Sequence, residues 1–287
     1  MTIRNPAEWG ASQFKLWSQA IGSAGHAVYG AEGNRNALIP SIRRIRTADL
    51  WDALAKGVDD FKAYRTDVIF LCLIYPTVGL ILARIIFGYG LWYMLFPLVS
   101  GFALIGPFAA VGLYEMSRQR EEGTTVTWAD AFDVLRSPSF GAILVLGLIL
   151  TGIFLLWLLA AQVIYALTLG PEPPVSISWF IHDVFTTGAG WAMIGIGVAV
   201  GFLFAVLTLA VSVVSFPLLL DRKVGVATAI WTSIHAAMAN PGAMAMWGLI
   251  VVGGLIIGSL PLLVGLAIVM PVLGHATWHL YRKLIAR

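Results

Sequence analysis

The stretch GAILVLGLILTGIFLLWLLAAQVIYALT at 141–168 contains no charged residue, and its one amide side chain is Gln162. As a helix it would be about 42 Å long, more than the roughly 30 Å hydrocarbon core of a bilayer. Five further apolar stretches flank it, at 67–88, 91–116, 189–218, 243–259 and 260–280. Between the last two, Gly258, Ser259 and Pro261 predict a tight turn. The expected fold is therefore all-α and polytopic, with six transmembrane helices in residues 41–287. Residues 1–40 form a separate N-terminal cytoplasmic or interfacial segment.

Composition agrees with this reading. Hydrophobic residues make up 59% of the 287 and charged residues 11%, with a mean hydropathy of +0.86. Soluble domains carry about 25% charged residues. A chain this apolar needs membrane lipid to cover it. The net charge of +3 comes from scattered residues, which argues against a nucleic-acid groove. Cys72 is the single cysteine, so no internal disulfide can form. The first 66 residues carry both charge signs and no apolar core of a signal peptide.

The basic residues give the orientation. Seventeen of the eighteen lie before span one, between spans two and three, between four and five, or after six. Arg84 alone falls toward the other side, and the loop after span three has Glu172 and Asp183 without Lys or Arg. The positive-inside rule then puts both termini in the cytoplasm.

Three amphipathic segments each precede a pair of spans. The first, at 47–65, has Leu50, Trp51, Leu54, Val58 and Phe61 on one helical face, with Asp52, Lys56, Asp59 and Asp60 largely off it. The second, at 127–137, carries Trp128, Phe132 and Leu135, and Thr127 and Asp130 have capping-box spacing. The third, at 226–240, carries Trp231, Ile234 and Met238. Trp128 precedes Pro138 by ten residues, as Trp231 precedes Pro241, and the even spans contain Pro107, Pro217 and Pro271. The pattern predicts three parallel hairpins, each introduced by an interfacial helix. Parallel copies disfavour inverted-repeat transporters. Mitochondrial carriers share three hairpins but have a proline–acid–base signature on odd spans, which is missing here. Nearer the N-terminus, Asn5-Pro6 and Glu8 predict a helix start, followed by Trp9, Leu16, Trp17, Ile21 and Val28 at helical spacing on the cytoplasmic leaflet.

Few polar residues are placed for chemistry. Arg84 is expected to snorkel to the interface near Tyr89, Trp92 and Tyr93, or to pair with Glu172 or Asp183. Gln162 requires an internal partner, for which a helix–helix hydrogen bond suffices. Glu115 ends span two at i,i+3 from Arg118. His275 and His279 share a face of span six at i,i+4, a spacing that can ligate a metal, but no third ligand converges in sequence. They read as interfacial histidines beside Trp278 and Tyr281. Gly195, Gly197 and Gly201, like Gly254 and Gly258, read as helix-packing positions. No catalytic, cofactor or metal motif is present, so no cofactor is expected.

The segments LWDALAKGVDDF at 50–61, IGPFAAVGLYEMSRQREEG at 105–123, WADAFDVLRSPSFGAI at 128–143, VVSFPLLLDRKVG at 213–225 and PVLGHATWHLYR at 271–282 carry a resemblance. Over about 40–283 the chain resembles an uncharacterised family of proteobacterial predicted integral membrane proteins. The resemblance implies a Gram-negative inner membrane and no particular activity. Members are sometimes labelled cytochrome c oxidase subunit I, but that enzyme has about twelve spans and six metal-ligating histidines, against six spans and five histidines here. Two functional readings follow. One is a non-enzymatic accessory, assembly or scaffold protein that binds other inner-membrane proteins or a second copy. The other is a transporter or channel for a small or apolar solute, lined by Thr77, Gln162, Thr208, Ser212 and Ser215.

Overall fold

The computed structural model describes residues 40–63, 84, 88, 91–124, 127–260 and 264–286. Span one, except Arg84 and Gly88, and the N-terminal helix expected after Asn5 lie outside the described residues. The described residues are mostly helical, and the one β contact among them is an isolated antiparallel bridge between Ile42 and Ile285. The helices are α1 (Thr47–Ala63), α2 (Leu95–Ala109), α3 (Val111–Glu121), α4 (Phe140–Thr168), α5 (Ile177–Thr186), α6 (Gly188–Ser212), α7 (Ser215–Asp221), α8 (Val226–Ala239), α9 (Pro241–Ser259) and α10 (Leu266–Leu284).

Four helical runs among the described residues are long and apolar enough to cross a membrane. These are Leu95–Glu121 (α2–α3), Phe140–Thr168 (α4), Gly188–Asp221 (α6–α7) and Pro241–Ser259 (α9). They correspond to expected spans two to five. The sixth stretch does form a helix, α10, but His275, His279, Arg282 and Lys283 make its second half polar, and it is not among the four.

Local chemistry sets the breaks. Pro217 has no N–H to bond the carbonyl of Val213, and α6 ends there. The hydroxyl of Ser233, on α8, accepts from the N–H of Val214 at 3.1 Å. Pro241 starts α9 at its first turn. The segment Trp128–Arg136 is a 3-10 helix, and the N–H of its cap Thr127 donates to Asp130 Oδ2 at 2.6 Å. The connection between α4 and α6 holds a helix that the sequence pattern did not announce. α5 is capped by Ser176, whose hydroxyl accepts from the N–H of Trp179 at 3.2 Å.

α4 packs between α2 and α6, and α10 packs along α1 and against α3 and α9. Lipid-type exposure is extensive, with Leu148, Leu155, Leu159, Phe202, Leu203, Leu249 and Ile257 all outward. The buried core concentrates at the basic end, around Leu50, Tyr114, Phe216, Leu218, Trp247, Trp278 and Tyr281. Gly201 meets the Trp157 ring, and Gly254 and Gly258 meet Val269 and Leu266, as packing glycines should. Gly195 and Gly197 face open space, so the packing role expected for them does not hold.

Candidate functional site

The face that α1 buries is the narrow stripe Leu50, Ala53, Gly57 and Asp60. The stripe differs from the apolar face expected from sequence, which has Trp51 on it and Asp60 largely off it. Trp51 is 61% exposed. Gly57 permits the contact with α10, since a Cβ there would stand 2.7 Å from the carbonyl oxygen of Val272 and 2.7 Å from the Ala276 nitrogen. The close approach delivers Asp60 to α3 and α10 together.

Asp60 is the hub of a buried cluster. Its Oδ2 accepts from the Ser117 hydroxyl at 2.6 Å and faces His279 Nε2 at 2.9 Å, and its Oδ1 accepts from Arg120 Nη1 at 2.6 Å. Ser117 Oγ lies 2.8 Å from His275 Nδ1. A hydroxyl has one proton and Ser117 gives it to the carboxylate, so His275 must donate from Nδ1. An ionised carboxylate only accepts, so His279 must carry its proton on Nε2. Burial raises the pKa of Asp60, but the hydrogen bonds from His279 and Ser117 and the charges beside it outweigh this and hold the carboxyl below its usual value.

A second layer extends along α10. Arg282 Nε donates to Glu121 Oε2 at 2.9 Å, and Arg282 Nη1 to Asp221 Oδ2 at 3.0 Å. The Tyr281 hydroxyl donates to Asp221 Oδ2 at 2.5 Å, and its pKa is raised by burial and by that carboxylate. Lys283 pairs with Asp52 at 2.8 Å, which raises the lysine and lowers the acid. The chain before α1 is fastened beside this layer. Arg43 N–H donates to the Leu284 carbonyl at 2.8 Å. Asn240 accepts from Ile45 N–H at 2.8 Å and donates to the carbonyls of Arg43 and Ala236.

The third part lies between α3, the 3-10 helix and α7. Arg118 grips Glu115 through Nε at 2.8 Å and Nη2 at 2.6 Å, and reaches Glu122 at 2.7 Å. Gln119 bonds Glu115 at 2.9 Å and Asp133 at 3.4 Å. A polar cavity of about 370 Å³ opens here, lined by Glu115, Arg118, Gln119, Asp133, Arg136 and Ser137.

Glu115 with Arg118, and His275 with His279, are thus brought to one end of the bundle as expected from spacing. His275 is fully buried within the protein and His279 largely so. Arg84 is exposed, and among the described residues no ion pair joins it to Glu172 or Asp183. Gln162 is half-buried on α4, and among the described residues no hydrogen bond of its amide is found. Asp60, Ser117 and Arg120 are the cluster members that sequence reasoning missed. Among the described residues, no group of three or more His, Cys, Asp and Glu has the arrangement to hold a metal ion.

The run from α2 to α7 is also where the chain meets known proteins. Residues 95–221 match the model of a family described as predicted integral membrane protein (DUF2189). The chain is a multi-pass integral membrane protein. The DUF2189 match includes Ser117 and Arg120 but not Asp60, His275 or His279, and it is narrower than the resemblance drawn over 40–283. No curated protein and no solved structure matches the chain.

Proposed function

We propose that this protein is a six-span inner-membrane protein with both termini in the cytoplasm. Its spans form three parallel hairpins, each led by an interfacial helix, and it acts as a non-enzymatic accessory or scaffold whose working surface is the cytoplasmic end. One observation carries the reading. The chemistry of the chain is spent on tying that end together: Asp60 fastens α1 to α3 and α10, and the ion pairs around it bind their partners within the same end. Two of the hydroxyls that a solute path would need are bonded back to their own helices. Ser212 donates to the Thr208 carbonyl at 2.7 Å, and Ser215 to that of Val211 at 2.5 Å. Beside its exposed charges the end presents large apolar side chains outward: Trp51 on α1, and Trp231 and Met238 on α8. These side chains suit membrane lipid and a neighbouring membrane protein or second copy.

Affinity capture of the full chain from membranes in mild detergent, followed by mass spectrometry, tests the role. The scaffold reading expects a protein partner in stoichiometric amount, reduced by Trp231→Ala. A single species with no partner and no self-association, together with solute flux in vesicles, supports the transporter reading instead. Cysteine-accessibility labelling at positions 4 and 287 tests the topology, which requires both to react only from the cytoplasmic side.

A further inference from the structure

The cavity beside the 3-10 helix is lined by opposite charges that are held in two different ways. At its floor, Glu115 is buried and locked to Arg118 by two bonds of 2.6 and 2.8 Å. At its mouth, Asp133 is held only at 3.4 Å, by Arg136 Nη1 on one oxygen and by Gln119 on the other. Hydrogen bonds this long are weak, and the Arg136 side chain is 87% exposed. The mouth therefore has an under-used acceptor and an under-used guanidinium side by side. Phe132 and Leu135, on the same nine-residue segment, point outward and apolar. The segment joins the ends of two candidate spans, Leu95–Glu121 and Phe140–Thr168. Its apolar side chains belong in the acyl boundary, which puts Asp133 and Arg136 at the depth of lipid headgroups.

We propose that this cavity receives the zwitterionic headgroup of an aminophospholipid. The ammonium would lie against Asp133, with Glu115 behind it, and the phosphate against Arg136 and Ser137. A volume of about 370 Å³ falls within the range of small-molecule sites. The charge pattern selects the ligand. Glu115 and Arg118 answer each other, so the free choice lies at the mouth: a purely anionic headgroup would meet Asp133 without a cation of its own, and a bare cation would meet Arg136. An amine joined to a phosphate answers both signs.

The test uses the full chain purified in detergent, with native mass spectrometry and thermal unfolding. Phosphatidylethanolamine, phosphatidylglycerol and soluble phosphoethanolamine are added in separate arms. The expected result is selective retention of phosphatidylethanolamine, with a higher unfolding midpoint than in phosphatidylglycerol. Asp133→Asn and Arg136→Gln should each weaken retention about tenfold, as loss of one charged hydrogen bond implies. Both positions are at the surface, so the lipid-free midpoints of the variants should match the parent. Equal retention of the two lipids, or retention unchanged in both variants, would overturn the proposal. Binding of soluble phosphoethanolamine without retention of the lipid would overturn the assignment to a membrane lipid.

Discussion

His279 Nε2 lies 2.9 Å from Asp60 Oδ2, although 219 residues separate the two in sequence. Through this contact the first and last of the described helices, α1 and α10, share one buried carboxylate. The same carboxylate reaches Ser117 and Arg120 on α3, so three helices converge on it.

Acid should loosen the basic end. The folded-state pKa of Asp60 is depressed, so its contribution is complete above its unfolded value of about 4 and is lost as pH falls through the lower folded value. Thermal unfolding in detergent should show a midpoint that falls as the pH drops below about 4. In Asp60→Asn that acid-dependent fall should be smaller. Asp60→Ala, which removes the buried acceptor shared by Ser117, Arg120 and His279, should cost about 1–3 kcal/mol at neutral pH.

Two glycines should respond with opposite sign to the same substitution. Alanine ordinarily stabilises a helix interior by about 1 kcal/mol over glycine. Gly195 on α6 faces open space, so Gly195→Ala should be neutral or stabilising. Gly57 faces the backbone of α10 at 2.7 Å, so Gly57→Ala should destabilise by about 1–3 kcal/mol despite the better propensity. Chemical unfolding of the two variants side by side checks this.

Asn240 should act as a two-sided clasp. Asn240→Ala removes the acceptor for Ile45 N–H and the donor to Arg43, with an expected loss of about 1–3 kcal/mol. Asn240→Asp keeps the acceptor but turns a buried carboxylate oxygen toward the carbonyls of Arg43 and Ala236, so its effect should be at least as large. Limited proteolysis should cut near residues 41–46 faster in Asn240→Ala than in the parent.

Apolar runs made spans two to five legible, because length and hydropathy alone decide whether a helix can cross a bilayer. The i,i+4 spacing of His275 and His279 made their shared face legible, and i,i+3 did the same for Glu115 and Arg118. The role of Asp60 is not legible in the sequence for a physical reason. Hydrophobic periodicity marks the apolar face of a helix, and in water that face is the one that packs. Where helices meet lipid, large apolar side chains such as Trp51 and Trp231 point outward, and small and polar residues make the contacts. The α1 stripe Ala53, Gly57 and Asp60 follows the second rule. The break before Pro217 was marked by the proline, but its repair by Ser233 depends on a fold-dependent contact with α8.

The claim at the centre of the account is that Asp60 holds α1 onto the end of the membrane bundle. Hydrogen–deuterium exchange of the detergent-purified chain measures this directly. Amides of Thr47–Ala63 should exchange slowly in the parent. In Asp60→Ala they should exchange faster, while those of Phe140–Thr168 stay protected in both. Fast exchange across α1 in the parent, or protection unchanged by Asp60→Ala, would contradict the account.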